Sequence, residues 1–359
     1  MCKESRPILK FIECFIMLDK NLIPYELSDY VLRKYFHETG LKQGWLPESK
    51  NGVGVAVSGG GDSISLLWLC KKFYNSRIIA IHVNHGIRGS ESDGDMKFTQ
   101  DFADSLGIEI ITKFSSVPVE RVKGESLESA ARRVRLREIC NTAKNLNLDY
   151  IFLGHNKDDL AETVLFNILR GTGIRGSVGI TESSELDGVK FYRPLLGLRR
   201  EFLRDILRVR NISWREDSSN NDSSYTRNFL RLNLLPLIES KINSSAIEHL
   251  ANFGEFMRES RERENIYSRK LLDSCRDYNF AGIVLTRKKL RDFSVNDCAL
   301  IIREAGRRLK LKTLSRGRCN ELANLFISNK KFIFQWCDKV IITSHDGRIY
   351  FEDSRGNQE

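Results

Sequence analysis

The sequence has no cysteines at the spacing of a metal or redox site. Its eight cysteines lie far apart, and none forms a C-x-x-C pair. That spacing argues against a zinc ribbon, an iron–sulfur site or a dithiol redox centre. Reduced, buried thiols in a cytoplasmic protein are therefore the expectation.

Long apolar runs are also missing. No stretch approaches the length of a membrane span, and the apolar segment Phe11–Leu18 is interrupted by Glu13 and followed by no small-residue cleavage site. We expect a helix face there rather than a signal peptide, and no membrane association.

What the 359-residue chain does have is the 41% hydrophobic content of a globular protein and a formal net charge of +10. The excess positive charge makes a polyanionic partner a hypothesis.

Short apolar segments alternate with helix-length segments between Val53 and about Arg170. The predicted strands are rich in Val and Ile and lack strict alternation; they are Val53–Ser58, Arg77–His85, Ile108–Phe114 and Leu148–His155. Helices are expected between and after them, at Ser63–Tyr74, Asp93–Leu106, Ser126–Asn147 and Asp158–Leu169. This order predicts an α/β fold with a doubly wound parallel sheet, in which ligands bind beyond the carboxyl ends of the strands.

The rest of the chain has a mostly helical pattern, and the whole sequence divides into four predicted segments. We expect an N-terminal extension over 1–50, the catalytic domain over 51–215, a helical connector over 216–282 and a small α+β C-terminal domain over 283–359. The last of these ends with "SHDGR" between apolar alternations, which is typical of a β-hairpin.

The segment "SGGGDS" (Ser58–Ser63) lies between a predicted strand and a predicted helix. A helix N-terminus has unpaired N–H groups and a partial positive charge, and glycines let phosphate oxygens approach the backbone. Ser58 and Ser63 add hydroxyl donors. The motif is neither a Walker A loop nor G-x-G-x-x-G. It predicts a phosphate-binding loop; the alternative is a tight turn that binds nothing.

Two later helices carry charged residues on one face. Asp159 and Glu162 are three residues apart and, with His155, predict a pocket for a cationic amine. The alternative is that Asp158 and Asp159 only stabilise the first turn of the helix, where Asn156 and Asp159 resemble a capping box.

Glu128, Arg132 and Arg135 also share a helix face, where the alternative is an ordinary surface pair. Arg133 and Arg137 are expected to face solvent.

These motifs resemble those of known enzymes. S-G-G-x-D-S after a strand resembles the PP-loop of the N-type ATP pyrophosphatases. Within that superfamily the chain resembles the tRNA(Ile)-lysidine synthases, whose motifs it carries in order over residues 53–237: "HVNHGIRG", "ESLESAARRVR", "GHNKDDLAETVLFNILRGTG", "FYRPLL", "WREDSSN" and "RNFLRLNLLP". The resemblance implies an adenine nucleotide alpha hydrolase-like fold. It also implies a ligase that forms a C–N bond in two steps: ATP adenylates the wobble cytidine of the CAU anticodon of tRNA(Ile), and L-lysine then displaces AMP to give lysidine.

The resemblance also implies roles for individual residues. It assigns ATP to Ser58, Gly59, Gly60, Gly61, Asp62, Ser63 and His82. The second strand ends where a doubly wound sheet places the adenosine, which predicts an adenine contact for the backbone of Ile81–Val83. A carboxylate beside phosphates predicts that Asp62 binds Mg²⁺; favourable placement at a helix N-terminus is a compatible alternative. The resemblance assigns lysine to Asp159, Glu162 and Arg132, and catalysis to Asp62, Arg132, Arg135, His155, Asp159 and Glu162, without separating Arg132 from Arg135. Gly59 and Gly60 occupy fixed positions of the motif and Gly61 its free position.

Clusters of basic residues predict the RNA surface. Solvated helix faces are the alternative, but two clusters in a chain of net charge +10 favour phosphate contacts. The predicted tRNA contacts are Arg199, Arg200, Arg204, Arg227, Arg307 and Arg308. The sequence leaves the oligomeric state open, a homodimer included.

Two other functions compete with this reading. A tRNA 2-thiolation enzyme of the same superfamily would deliver sulfur and usually needs paired cysteines. A nucleotide-binding protein without turnover would need neither the carboxylates Asp159 and Glu162 nor a basic C-terminal domain.

Overall fold

The computed structural model describes residues 25–46, 49–84, 86, 90–174, 176–216, 226–280, 282–328, 330–338 and 340–353. The chain divides into two compact units, Met1–Phe256 and Met257–Glu359. The finer four-part division stays a prediction, and the apolar segment Phe11–Leu18 lies outside the described residues.

A six-stranded sheet forms the centre of the first unit, in the order β3-β2-β1-β4-β6-β5. Its strands are β1 (Val53–Ala56), β2 (Ile78–Asn84), β3 (Glu109–Phe114), β4 (Tyr150–Phe152), β5 (Ser183–Leu186) and β6 (Val189–Tyr192). All neighbours pair in parallel except β5, which is antiparallel to β6 at the edge. Because the chain winds outward from β1 in both directions, the sheet is doubly wound, as predicted.

Helices separate the strands in the predicted alternation. In the first unit they are α1 (Tyr25–Gln43), α2 (Gly61–Phe73), α3 (Ser90–Ser105), α4 (Val117–Glu120), α5 (Leu127–Asn145), α6 (Lys157–Leu169), α7 (Arg200–Val209), α8 (Thr226–Phe229), a π-helix (Leu230–Leu234) and α9 (Leu235–Lys241). Three of the four predicted strands extend past the observed carboxyl ends, whereas the predicted third strand ends with β3 at Phe114. In the first and fourth, the polar residues Ser58 and His155 lie in loops beyond the strand.

The β5–β6 hairpin was not predicted. All four residues of β5 are exposed, and its sequence "SSEL" lacks the apolar pattern of a buried strand. Asp187 and Gly188 join the two strands with positive φ angles of 51° and 79°. A two-residue Asp-Gly turn of this kind is a hairpin signal that the sequence does contain.

Apolar side chains cover both faces of the sheet. On one face α2 and α7 pack through residues such as Ile64, Leu67 and Leu203. On the other face α5 packs through residues such as Ile139, against Ile151 of β4. With both faces covered, the carboxyl ends of β1, β2 and β4 are the edge of the sheet from which polar loops project.

The second unit has its own sheet and core. Its elements are the C-terminal part of α10 (Ala246–Cys275), then β7 (Val284–Thr286), α11 (Arg287–Leu290), α12 (Val295–Arg308), α13 (Arg316–Ile327), β8 (Ile333–Cys337), β9 (Val340–His345) and β10 (Arg348–Asp353). The four strands form an antiparallel sheet in the order β7-β10-β9-β8. Asp346 and Gly347, with φ angles of 48° and 73°, form the predicted hairpin turn between β9 and β10.

Cysteine placement follows the expectation within the described part of the chain. Cys70, Cys140, Cys275, Cys298 and Cys319 are buried free thiols, and Cys337 is a half-buried one. Among the described helices, none combines the length and apolar character needed to cross a membrane.

Candidate active site

The "SGGGDS" segment forms the turn between β1 and α2. Gly59 has a φ angle of +89°, which side chains rarely adopt. Gly60 is the N-cap of α2, with a φ angle of −71° and no side-chain cap. The N–H groups of Gly61 and Asp62 donate to none of the described residues. The N-terminus of α2 therefore offers unpaired donors and a partial positive charge, the arrangement that suits a phosphate.

The two serines of the loop differ in their availability. The Ser63 hydroxyl donates to the Gly60 carbonyl at 2.9 Å and accepts from the Ser58 N–H at 3.1 Å. Ser63 thus holds the loop closed, and its proton is already used. Ser58 is exposed and its hydroxyl lies 3.2 Å from that of Ser63. Of the two predicted hydroxyl donors, Ser58 is the one that faces solvent.

A short segment after α7 supports this loop. The Arg215 N–H donates to the Gly59 carbonyl at 3.0 Å, and its Nε donates to Asp95 at 3.0 Å. A Cβ at Gly61 would lie 3.4 Å from the Trp214 ring, an ordinary contact. Trp214 and Arg215 belong to the "WREDSSN" motif; residues 217–225 lie outside the described part of the chain.

Three carboxylates surround the guanidinium of Arg200. Its Nη2 lies 2.6 Å from Asp159 and 2.9 Å from Glu162, and its Nε lies 3.8 Å from Asp62. The Arg200 side chain is 12% exposed, so these pairs form largely away from water. The structure thus brings the predicted amine-binding carboxylates next to the predicted phosphate loop, with a cation of the protein between them. We call Asp62, Asp159 and Glu162 the acidic cluster.

Burial changes the protonation of this cluster. Burial and the charge of Asp159 raise the pKa of Asp62, and against the lowering effect of Arg200 it reaches about 6. Burial likewise raises the pKa of Glu162, against the opposing effect of Arg200. Arg231 of the π-helix contributes a second positive charge, with its Nε 3.7 Å from Glu162.

Asp62 has the features of a partial Mg²⁺ site. Its Oδ1 is buried and has no hydrogen-bond partner among the described residues. Within the same part of the chain, no group of three His, Cys, Asp or Glu side chains is arranged to hold a metal ion. Mg²⁺ usually binds proteins through one or two carboxylates and completes its shell with water and substrate phosphates. A single carboxylate oxygen without a partner, beside a phosphate loop, fits this mode of Mg²⁺ coordination.

Asp159 has two roles at once. Asn156 and Asp159 form the capping box of α6: the Asn156 side chain accepts from the Asp159 N–H at 2.9 Å, and Asp159 Oδ2 accepts from the Asn156 N–H at 3.0 Å. Its other oxygen, Oδ1, pairs with Arg200. The capping interpretation and the cation-binding interpretation therefore both describe Asp159.

Arg132 and Arg135 line one cavity of about 210 Å³ together with His155. The structure brings both arginines to the same place. Arg133 and Arg137 instead make exposed ion pairs with Glu125, Glu120 and Glu138, as the expected solvent-facing residues would. Arg193 of the "FYRPLL" motif lines the same cavity and was missed, because nothing in its spacing marks it.

His82, which was predicted to bind ATP, is buried. It is 4% exposed, and its Nδ1 lies 2.9 Å from the Val57 carbonyl, so it anchors the end of β1. Burial lowers its pKa.

The pairing of β2 with β1 ends at Ile81, so Val83 extends past β1. This limits the predicted adenine contact of the Ile81–Val83 backbone to Val83.

Two predicted tRNA contacts have their charges engaged inside the protein. Arg199 pairs with Asp158, Glu239 and Glu248 at 3.0–3.2 Å. Arg200 lies in the acidic cluster. Both sets of contacts argue against the predicted role of Arg199 and Arg200 in binding tRNA phosphates.

The other predicted tRNA contacts are more open. Arg204 and Arg227 have side chains 34% and 49% exposed, each with one loose ion pair at 3.5–3.6 Å. In the second unit, Arg307 and Arg308 both pair with the buried Glu304 at 2.6 and 3.1 Å, and the Arg307 side chain is half exposed.

Comparisons with known proteins agree with this arrangement. The family model described as a PP-loop domain matches residues 33–238. The tRNA(Ile)-lysidine synthase of Chlorobaculum tepidum is 31% identical over 306 residues, which cover 84% of this chain and 90% of that protein. Those of Rhodopirellula baltica and Thermus thermophilus are 34% and 39% identical, and this chain spans 62% and 39% of their lengths.

A solved structure shares the fold alone. The U34-tRNA thiolase NcsA from Methanococcus maripaludis superposes with a TM-score of 0.54 at 19% identity, over 65% of this chain and 81% of that one. Since the PP-loop model matches more than half of the chain and the Chlorobaculum tepidum relative is matched over most of its length, the chain belongs to the tRNA(Ile)-lysidine synthase family of PP-loop proteins.

Proposed function

We propose that this protein is a tRNA(Ile)-lysidine synthase, a ligase that joins the ε-amine of L-lysine to the wobble cytidine of a CAU anticodon. ATP adenylates the 2-carbonyl oxygen of the cytidine and releases diphosphate; lysine then displaces AMP. One observation carries the proposal beyond family membership: Arg200 joins Asp62 of the PP-loop to Asp159 and Glu162 of α6. We infer from these ion pairs that a cation-binding site lies directly beside the phosphate-binding loop.

The adenylation step uses the PP-loop. The unpaired N–H groups of Gly61 and Asp62 and the hydroxyl of Ser58 would stabilise the charge that develops on the departing diphosphate. Asp62 would hold Mg²⁺, which neutralises phosphate charge when bound. Val83, beyond the end of β1, would contact the adenine.

The transfer step uses the acidic cluster. Arg200 occupies a position that suits a positive charge, and the ammonium group of lysine carries the same charge. Lysine must lose a proton before it attacks. Because burial raises the pKa of Glu162, this carboxylate is a better proton acceptor than an exposed one. Asp159 and Glu162 would therefore bind the amine, and Glu162 would take its proton.

The RNA surface is proposed from the exposed arginines. Arg204 and Arg227 lie on the first unit, and Arg227 also stacks over Phe166, at 5.3 Å from the ring centroid. Arg307 and Arg308 are retained as contacts of the second unit, although Glu304 offsets part of their charge. An unpaired loop base such as a wobble cytidine is accessible to stacking and hydrogen bonds in this setting.

Nothing in the described residues favours sulfur transfer. The described cysteines on the first unit, Cys70 and Cys140, are buried single thiols. The likeness to the thiolase NcsA is one of fold.

A single assay tests the proposal. The purified protein is given ATP, Mg²⁺, labelled L-lysine and a tRNA(Ile) transcript with a CAU anticodon, and label in the RNA and diphosphate release are measured separately. We expect both, and neither with a matched transcript whose wobble cytidine is replaced by uridine. Nucleotide binding without diphosphate release would favour the non-catalytic alternative, and incorporation of sulfur in place of lysine would favour thiolation.

A further inference from the structure

A short segment outside the helices and strands, residues 193–199, joins β6 to α7. It begins with Arg193, which lines the same cavity as His155, and leads directly into Arg200, whose guanidinium group contacts the acidic cluster. Two side chains of the candidate site therefore depend on the path of one segment. Every residue of the segment is buried or half-buried, so its backbone N–H and C=O groups need partners within the protein.

Helix α1 supplies three hydrogen bonds to this segment. The Tyr35 hydroxyl donates to the Pro194 carbonyl at 2.9 Å and accepts from the Gly197 N–H at 3.2 Å. The side-chain amide of Gln43 donates to the Arg193 carbonyl at 3.1 Å. Two residues that lie at least 150 positions earlier in the sequence thus hold the segment at three points.

Tyr35 reaches the segment through the apolar core. It is 7% exposed and belongs to the same buried cluster as Leu32 and Leu198. Burial raises the pKa of its hydroxyl, so the group keeps the proton that it donates. A Cβ at Gly197 would lie 2.9 Å from Tyr35 Oη, too close for both to stay in place. Glycine at position 197 is therefore what lets the hydroxyl approach the segment.

The far end of the segment is joined to α6. The Lys157 N–H donates to the Leu198 carbonyl at 2.9 Å, and the Arg200 N–H donates to Asp158 Oδ2 at 2.8 Å. These bonds reach the first turn of the helix that carries two members of the acidic cluster. The path of the segment therefore sets where the Arg200 guanidinium meets those carboxylates.

The PP-loop depends on other contacts. The Ser63 hydroxyl donates to the Gly60 carbonyl at 2.9 Å and closes the loop from within. Arg200 approaches this loop through an ion pair of 3.8 Å to Asp62, which is longer than its pairs of 2.6 and 2.9 Å to the carboxylates of α6. A displaced segment should therefore disturb the amine site more than the phosphate site.

We propose that Tyr35 is a positioning residue of the candidate active site, whose hydroxyl fixes the 193–199 segment and thereby holds the Arg200 guanidinium against the carboxylates of α6. Gln43, about two turns further along α1, supports the same segment. Helix α1 contributes to the site in this way without touching substrate. The expected effect on lysine rests on the proposed function, whereas the anchoring of the segment by Tyr35 can be measured without it.

Tyr35→Phe tests the proposal, because it removes the hydroxyl and keeps the buried ring. Hydrogen exchange of the amides of residues 195–200 reports the segment, and steady-state label incorporation with the CAU transcript gives the KM values for lysine and ATP. We expect exchange in the segment to be about tenfold faster and the KM for lysine to rise about tenfold, the size of one buried hydrogen bond. The KM for ATP should stay within about twofold.

Tyr74→Phe is the matched control. Tyr74 is 4% exposed, belongs to the same buried cluster and accepts from the Ser49 N–H at 2.9 Å, so its loss also leaves a backbone group without this partner. Thermal unfolding should show similar losses of stability in the two variants. Tyr74→Phe should nevertheless keep wild-type exchange at residues 195–200 and both wild-type KM values. Equal rises of the KM for lysine in the two variants would overturn the proposal, since any weakening of the core would then suffice.

Two further variants test the route through Arg200. Gly197→Ala places a Cβ against the Tyr35 hydroxyl and should reproduce the kinetic effect of Tyr35→Phe. In an Arg200→Gln background, Tyr35→Phe should change the KM for lysine by less than about twofold, because the group that it positions is gone. An effect of about tenfold that persists in that background, or an unchanged KM for lysine in Tyr35→Phe itself, would contradict the proposal.

Failure of the proposed function has a different signature. If the wild type transfers no lysine to the CAU transcript, the proposed function is wrong, and hydrogen exchange still decides the anchoring role. Faster exchange at residues 195–200 in Tyr35→Phe but not in Tyr74→Phe would support that role, and equal exchange in the two variants would remove it.

Discussion

Arg200 Nη2 lies 2.6 Å from Asp159 Oδ1, so a carboxylate of the candidate site is already paired with a cation of the protein. The same nitrogen lies 2.9 Å from Glu162. A substrate ammonium group that binds these carboxylates must share them with the guanidinium or displace it. Arg200 therefore holds both carboxylates in position before substrate arrives.

Glu162→Gln should weaken the binding of lysine far more than the binding of ATP. The variant removes one negative charge from the amine site and keeps the side-chain shape, and Glu162, unlike Asp159, has no capping role in α6. We expect the KM for lysine to rise by about tenfold or more, and the KM for ATP to stay within about twofold.

Steady-state kinetics with each substrate varied in turn measures this. Glu109→Gln, an exposed glutamate of β3 paired with Arg77, is the control and should change neither constant. Equal increases for lysine and ATP would show that Glu162 only supports the structure.

Asp62→Asn should stabilise the protein at neutral pH while it impairs activity. Burial raises the pKa of Asp62 from 3.8 to about 6, so the folded state binds a proton more tightly than the unfolded state does. The free energy of unfolding must then fall as pH rises from about 4 to 6, and the full penalty remains at pH 7. Asparagine carries no charge and avoids it, for a gain of about 1–3 kcal/mol.

Urea unfolding in EDTA, without ATP, at pH 4.5 and pH 7 measures this effect. The difference between Asp62→Asn and the wild type should be larger at pH 7 than at pH 4.5. A variant that is less stable than the wild type at pH 7 would mean that the ion pair with Arg200 outweighs the desolvation of Asp62.

The inner parallel strands follow from the sequence because they are short, buried apolar runs. β1, β2 and β4 have no polar alternation, and nearly all of their residues are buried. The edge strand β3 is only half-buried, but its isoleucines still predict a strand. The other edge strand, Ser183–Leu186, has no such apolar run, since all of its residues are exposed, and its place depends on pairing with β6.

The candidate site was predictable only where its residues share one element. Asp159 and Glu162 lie three apart on a helix, and Asp62 lies in a recognisable loop. Arg200 joins them from a helix 38 residues beyond Glu162 in the chain, and its neighbour Arg199 looks the same in the sequence. Two adjacent arginines at the start of α7 indicate a basic surface, whereas packing turns both toward carboxylates.

Arg199→Gln and Arg204→Gln should therefore separate stability from RNA binding. Arg199 balances three carboxylates and is 26% exposed, so its loss should lower the free energy of unfolding by about 1–3 kcal/mol, a value reduced for its partial exposure. Arg204 makes one loose pair with the exposed Glu216, and its loss should cost under about 0.5 kcal/mol.

The order should be reversed for tRNA binding, which Arg204→Gln should weaken more than Arg199→Gln. Arg204→Gln should weaken tRNA binding and lower the slope of log Kd against log salt by about one, as expected for one lost phosphate contact. Arg199→Gln should leave that slope unchanged. Filter binding between 50 and 200 mM salt measures both, and an unchanged slope in Arg204→Gln would remove Arg204 from the interface.

The three glycines of the PP-loop should respond differently to alanine, and the reasons are separate. Gly59 has a φ angle of +89°, so alanine there strains the backbone by about 1–2 kcal/mol. Gly60 has an ordinary φ angle, and the nearest atom to an added Cβ is the Ser58 hydroxyl at 3.6 Å. Backbone strain therefore accounts for Gly59 but not for Gly60, where the proposed phosphate contact is the expected reason for glycine.

Gly60→Ala should fold with wild-type stability and lose most of its ATP-dependent diphosphate release, because its Cβ would lie where phosphate oxygens approach the N-terminus of α2. Gly61→Ala should keep much of the activity, since its Cβ makes only ordinary contact, at 3.4 Å, with the Trp214 ring. Thermal unfolding and the KM for ATP, measured on all three variants, separate the cases: Gly59→Ala should lose stability, Gly60→Ala affinity for ATP, and Gly61→Ala little of either. If Gly60→Ala binds and turns over ATP as the wild type does, the phosphates do not approach this face of the loop.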